Sequence, residues 1–216
     1  MKVDTLLFDL DGTLIDTNDL IIESFMHTLG QFFSPSQFKK EDILKFMGPP
    51  LYESFHMLNP EKAQEMVEVY RKFNKEKHDE LVKEYDTVYE TIEYFYEKGY
   101  KLGVVTSKTR NTVEMGLKLS RLKQFFEVVI TVDDVAHAKP HPESIFLALE
   151  QLRSKPEHTI MVGDNHHDIE AGKNAGTLTA GVTWSLKGPD YLKKYNPDFM
   201  LEKMSDLIEI VGGIEA

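Results

Sequence analysis

Two rhythms of apolar residues alternate along this chain. It opens with Asp4-Thr5-Leu6-Leu7-Phe8, an apolar run too short for a helix and dense enough for a buried parallel strand. After that the period becomes helical. Asn18-Asp19 reads as a helix cap, Leu20, Ile21, Phe25, Met26 and Leu29 as one apolar stripe, and Ser34-Pro35-Ser36 as the break. Short helices are predicted over residues 41–47 and 51–57, parted by Gly48-Pro49-Pro50. A longer helix is predicted from Asn59-Pro60 to about residue 82, with Pro60 at its first position and Ala63, Met66, Val67, Tyr70 and Phe73 along it.

From Tyr85 the texture changes to strand and helix in turn. Strands are expected at 101–106, 128–132, 159–163 and 178–182, and helices at 89–98, 110–119, 142–152 and 167–174. Residues 199–201 and 204–211 read as an edge strand and a packing helix. Alternation of this kind implies βαβ units, a parallel sheet and right-handed crossovers that place all strand ends on one edge. The predicted fold is α/β, a doubly wound, Rossmann-like core formed by residues 1–16 and 83–216, with an inserted α-helical domain at 17–82. The insertion leaves the core beside Asp9, where it can close over the loop that follows the first strand.

Composition narrows the function classes. The 216 residues are enough for one large or two small domains, and 41% hydrophobic with 11% aromatic residues is globular composition. A net charge of −11 argues against a nucleic-acid partner, which needs stripes of Lys and Arg. A small anionic substrate would need a metal or a local cationic pocket. Cysteine is absent, so disulfides, thiolate chemistry and Cys-based zinc sites are excluded. With no signal-peptide pattern and no apolar run of membrane-spanning length, no membrane partner is expected and the cytoplasm is the default location.

Four polar clusters fall at the carboxyl ends of predicted strands, the edge where open α/β sheets bind ligands. In Asp9-Leu10-Asp11-Gly12-Thr13, two carboxylates can point to one side while Gly12 permits a sharp turn. Carboxylates this close repel unless one is protonated or a cation lies between them, and their oxygens suit Mg²⁺. Thr106-Ser107 offers hydroxyls for a phosphate oxygen, though such residues are also ordinary after a strand. Lys139-Pro140 places an ammonium that can neutralise both Asp9 and a phosphoryl group, or simply face solvent. Asp164 and Asp168, four apart at a helix start, can form one face of a metal site or offset the helix dipole. Together the clusters match phosphoryl transfer, in which catalysis is mostly positioning and charge neutralisation, and whose nucleophile can be a carboxylate that passes through an aspartyl-phosphate.

In their order and spacing, Asp9 to Thr13, Thr106-Ser107, Lys139-Pro140 and Gly163 to Asp168 resemble the four motifs of the haloacid-dehalogenase-like phosphohydrolases. The insertion after the first motif resembles the helical cap of the phosphoglycolate-phosphatase and β-phosphoglucomutase branch. The resemblance implies Asp9 as nucleophile and Mg²⁺ ligand, and Asp11 as general acid/base that ligates through its backbone carbonyl. It further implies Thr106 or Ser107 as the phosphoryl holder, Lys139 as charge neutraliser, Asp164 as a Mg²⁺ ligand, and Asp168 as support for the site or the metal's water shell. Dehalogenases themselves lack the second Asp of the first motif, so Asp11 favours phosphate chemistry.

Residues 7–25, 113–119, 161–165, 171–177 and 197–207, and more loosely 85–92, resemble a pyrophosphate-hydrolysing branch of that family. Inorganic pyrophosphate is therefore the expected substrate, with a small monoester such as 2-phosphoglycolate as the alternative. A mutase is less favoured, because nothing in the insertion obviously manages a sugar. A binding protein without turnover should have lost one of Asp9, Asp11, Lys139 or Asp164. Pyrophosphate also needs cations for its leaving phosphate, since burying it unpaired is costly. Lys108 and Arg110 are the nearest candidates, with Arg71 and Lys75 from the insertion, and the tight Gly48-Pro49-Pro50 turn suits a small pocket. His166 and His167 are read as exposed first-turn residues, because adjacent helix positions do not face each other. His137 and His141, either side of Lys139, are set aside with the same caution.

Overall fold

The computed structural model describes residues 2–34, 36–47 and 49–215. In chain order, β1 (Thr5–Phe8) and β2 (Ile15–Asp16) precede four helices, α1 (Asn18–Phe32), α2 (Lys40–Ile43), α3 (Leu51–Leu58) and α4 (Ala63–Leu81). There follow β3 (Lys83–Glu84), α5 (Val88–Glu97), β4 (Lys101–Val105), α6 (Arg110–Leu119), β5 (Val128–Ile130) and α7 (Glu143–Leu152). The chain ends with β6 (Thr159–Gly163), α8 (His166–Ala175), β7 (Leu178–Val182), α9 (Pro189–Lys193), β8 (Phe199–Leu201) and α10 (Asp206–Glu215).

Six strands form one parallel sheet in the order β5-β4-β1-β6-β7-β8. All four residues of β1 are buried, as expected of a strand covered on both faces. The winding runs from β1 outward to β5, then returns to β6 on the other side of β1. The topological switch point therefore lies between β1 and β6, directly ahead of Asp9. Leu7, Val105, Ile130 and Met161 of the sheet pack against Ile145, Leu149 and Leu152 of α7 and Ala171 and Ala175 of α8. Each large side chain buried there contributes about 1.5–3 kcal/mol.

Chain proximity divides the molecule into two compact units, Met1–Asp16 with Lys83–Ala216, and Thr17–Val82. The second unit is helical, with no strand among its described residues. Its core gathers Phe25 and Leu29 of α1, Ile43, Phe55 of α3, and Ala63, Met66, Val67 and Tyr70 of α4. The Phe25 ring lies 5.3 Å from that of Phe55 and 5.0 Å from that of Tyr70.

Several boundaries differ from the sequence reading. The cap of α1 is Thr17, and Asn18 is already helical. The helix expected from Asn59-Pro60 starts at Ala63, because Asn59 Oδ1 accepts the Lys62 N–H and closes a turn first. The helix expected over 41–47 shrinks to the four residues of α2. The two-residue strands β2 and β3, paired antiparallel where the chain leaves and re-enters the first unit, are too short to leave a periodic signal, and α9 is nearly as short. Two expected features fall partly outside the described residues: the break at Ser34-Pro35-Ser36 through Pro35, and the Gly48-Pro49-Pro50 turn through Gly48.

Candidate active site

Strand register brings the site together. Phe8 pairs with Val104 of β4 and Val162 of β6, so Asp9 emerges level with Val105 and Gly163. The Asp9 N–H extends the ladder to the Val162 carbonyl at 2.9 Å, which fixes the residue as it leaves the sheet. Residues 10–15 then fold back through the Leu14 N–H to the Leu10 carbonyl at 2.9 Å. Gly12 makes this fold possible in two ways. Its φ is +73°, and a Cβ there would lie 2.4 Å from Asp164 Oδ2. The first and fourth motifs are thus packed against each other.

Lys139 is buried and spends all three ammonium donors, on Asp9 Oδ1 at 2.7 Å, Asp168 Oδ1 at 2.6 Å and the Val105 carbonyl at 2.8 Å. The Val105 carbonyl is a partner that the sequence does not suggest. Asp168 also caps a helix, since its Oδ2 accepts the Asn165 N–H at 3.0 Å and so closes the capping box of α8. Helix capping and site assembly therefore share one carboxylate.

The electrostatics are strained. Burial, followed by the charges of Asp168 and Asp11, pushes the Asp9 carboxyl up to about 7 against the opposing pull of Lys139. Burial and the neighbouring Asp168, Asp9 and Asp11 also raise the Asp164 carboxyl well above its ordinary value. Burial alone would lower the Lys139 ammonium, but Asp168 and Asp9 outweigh it and keep the group protonated. Lys108 Nζ meets Asp11 Oδ1 at 3.0 Å. Asp9, Asp11, Asp164 and Asp168 outnumber the ammonium groups of Lys139 and Lys108 bonded among them, and crowded carboxylates of this kind are relieved by a cation. Carboxylate oxygens of Asp9, Asp164 and Asp168 lie within 4.8 Å of one another, a hard-oxygen donor set that fits Mg²⁺.

The other candidates separate. Thr106 is buried, its N–H is committed to the Ile130 carbonyl at 3.0 Å, and its hydroxyl accepts the Lys108 N–H at 3.3 Å. Only the hydroxyl side of Thr106 remains for a ligand, and Ser107 sits half-buried beside it. Arg110 does not join the cluster. Its guanidinium bonds the Val129 carbonyl at 3.1 Å and pairs with Asp134, while its N–H donates to Asp133 Oδ2, so it braces β5 against the turn that follows. None of these bonds supports the expectation that Arg110 meets a second phosphate. Arg71 and Lys75 are exposed on α4, within the helical unit. One cation was missed altogether. Lys187 follows β7, stands 4.9 Å over the Tyr191 ring, and is close enough to feel the charges of Asp164 and Asp168. A lysine five residues past a strand end was its only trace in the sequence. His167, read as exposed, is partly buried, and burial lowers its imidazole to about 4.

A parallel sheet with an acidic cluster and a buried lysine at its switch point is an arrangement suited to charge neutralisation around a small anion. Residues 6–182 match the model of the haloacid dehalogenase-like hydrolases, and the chain belongs to that family. A haloacid dehalogenase-like family hydrolase from Streptococcus pneumoniae superposes with a TM-score of 0.86 at 27% identity, over 96% of this chain and 98% of that one. Two relatives extend over nearly the whole chain, and both are named Pyrophosphatase PpaX. The one from Anoxybacillus flavithermus is 62% identical over 212 residues, 98% of each chain, and the one from Bacillus mycoides is 59% identical over 214 residues, 99% of each. Among the described residues, no helix is long and apolar enough to cross a membrane.

Proposed function

We propose that this protein hydrolyses inorganic pyrophosphate to two orthophosphates in a Mg²⁺-dependent reaction. The observation that carries this reading is the 62% and 59% identity, end to end, with proteins named pyrophosphatases. The cofactor would be held by Asp9, Asp164, Asp168 and the Asp11 carbonyl, and when bound it neutralises charge on the transferring phosphoryl group. The partner is a small phosphate anion rather than a nucleic acid, in keeping with the charge of −11, and the protein works in the cytoplasm.

The geometry supports the following roles for the chain's own groups. Lys139 holds Asp9 Oδ1 and leaves the other carboxylate oxygen to attack phosphorus. A bond forms from Asp9 to phosphorus as the bond to the bridging oxygen breaks, giving an aspartyl-phosphate and a leaving phosphate. Asp11 protonates that leaving oxygen, then takes a proton from the water that attacks the phosphoenzyme. Asp9 is regenerated and the second orthophosphate departs. The Thr106 and Ser107 hydroxyls hold the transferring group. A leaving group protonated by Asp11 must lie beside it, and Lys108 is 3.0 Å from that carboxylate, so Lys108 meets the leaving phosphate. The helical unit, residues 17–82, serves as a cap.

The test compares kcat/KM for pyrophosphate, p-nitrophenyl phosphate and 2-phosphoglycolate in wild type and Lys108→Ala. Loss of a charged hydrogen bond of about 1.5–3 kcal/mol predicts a fall of roughly 10- to 100-fold on pyrophosphate. On p-nitrophenyl phosphate, whose leaving group is not a phosphate, the change should stay within a few-fold. Equal losses on both substrates would remove Lys108 from substrate recognition. A wild type that prefers 2-phosphoglycolate would move the function to the monoester.

A further inference from the structure

His137 and His141 carry no role in the reaction above, yet the fold brings a third ligand to them. Glu143, the first residue of α7, turns its carboxylate back over the loop. Its Oε2 lies 2.9 Å from His137 Nδ1 and 3.8 Å from His141 Nδ1, and ligand atoms of all three residues fall within 4.8 Å of one another. The imidazole rings stand 4.7 Å apart, and both histidines are exposed.

We propose that His137, His141 and Glu143 form a second metal site, separate from the carboxylate cluster, for a borderline dication of the Zn²⁺ class. Ligands about 2.0–2.2 Å from a tetrahedral ion are spaced roughly 3.3–3.6 Å apart, and the separations of 2.9 and 3.8 Å bracket that range. Two imidazoles with one carboxylate select Zn²⁺-like ions over Mg²⁺, which takes oxygen donors, and three protein ligands leave a fourth position to water. The carboxylate is oriented in advance, because Oε1 accepts the Ala136 N–H at 2.8 Å and Oε2 the His137 N–H at 3.0 Å. His141 Nδ1 accepts the Glu143 N–H in a long bond of 3.3 Å, so that nitrogen is unprotonated, and an ion would take over its lone pair by displacing that bond. A loop lock made by Glu143 alone would need its two backbone bonds and would not need His141. The site also brackets Lys139. An ion there ties the segment that carries Lys139 to the start of α7, and Lys139 is the group that bonds Asp9 and Asp168.

The probe is Co²⁺, titrated into untagged protein in excess Mg²⁺ and followed by visible absorption, with Zn²⁺ as competitor. The expected result is uptake of about one equivalent, displaced by Zn²⁺, because the three ligands build a single site. His137→Asn and His141→Asn should each weaken uptake at least about tenfold, as should Glu143→Gln, which keeps an acceptor for the Ala136 N–H. Circular dichroism checks that each variant is folded, and Asp164→Asn should leave uptake intact. Absence of uptake, or uptake that survives the His137→Asn/His141→Asn double variant, would overturn the proposal. So would uptake lost in Asp164→Asn, which would assign the ion to the carboxylate cluster.

Discussion

The two units of this molecule bury polar groups in opposite ways. In the helical unit, Thr17–Val82, the buried hydroxyl and amide side chains include groups satisfied close at hand. Ser24 donates to the Leu20 carbonyl at 2.6 Å and accepts from Asn74 Nδ2 at 3.1 Å, and Thr28 donates to the Ser24 carbonyl at 2.8 Å. In the sheet unit the buried polar groups include the ionisable Asp9, Lys139 and Asp168, two carboxylates to one ammonium, with burial pushing the Asp9 carboxyl up to about 7. Satisfied polar groups in a core stabilise a fold and specify its packing. Carboxylates held out of their usual range at a sheet's switch point cost stability, and they mark where chemistry is done.

The largest test of that contrast is Asp9→Asn. Removing the charge of the proposed nucleophile should cut pyrophosphate turnover about 10³-fold or more, some 4 kcal/mol in the barrier. The thermal midpoint should hold or rise, because a burdened buried carboxylate is gone while Asn Oδ1 still accepts from Lys139. A folded variant that kept more than a tenth of wild-type turnover would rule out Asp9 as nucleophile. A variant that failed to fold would make the charged cluster structural and erase the contrast.

Phe25→Ala attacks the other unit. It empties the space among Phe46, Phe55 and Tyr70 and should cost about 3–5 kcal/mol. Native-state amide exchange should accelerate by roughly 10² or more in α1, α3 and α4 and stay unchanged in β1, β4 and β6. Equal acceleration in the sheet would mean that the two units open as one.

Asn74→Ala should have the smallest effect. It removes the Asn74 amide from Ser24 Oγ, which still donates to Leu20, so the loss should be about 1 kcal/mol in chemical denaturation, with turnover unchanged. A loss several times larger would show that the buried network, more than the aromatic cluster, holds the helical unit together.

Much of this protein is determined by local pattern. The spans of α6, β6 and β7 follow from apolar periodicity and from the residues that bound them. That Asp9, Thr106 and Asp164 stand at strand ends follows from the same reading, since a buried strand must stop where the polar residues begin. Short or irregular elements escape this logic. In β2, β3 and α9 no period is long enough to read, and at the start of α4 a single side-chain bond from Asn59 outweighs the helix-starting tendency of Pro60.

Partner choice was left to the tertiary structure, because it depends on register between segments far apart in sequence. Lys139 finds the Val105 carbonyl only because β1 and β4 pair one residue before Asp9. Arg110, two residues past Lys108, is drawn to β5 and Asp134 while Lys108 turns to Asp11, although both read alike as cations after a strand. Asp168 serves the helix cap and the buried lysine at once, and Glu143 is brought beside the two histidines that flank Lys139, a third partner the sequence reading did not include. A side chain's type is written locally, but its partner is whichever group the packed backbone brings within about 3 Å, and a one-dimensional pattern does not contain that distance.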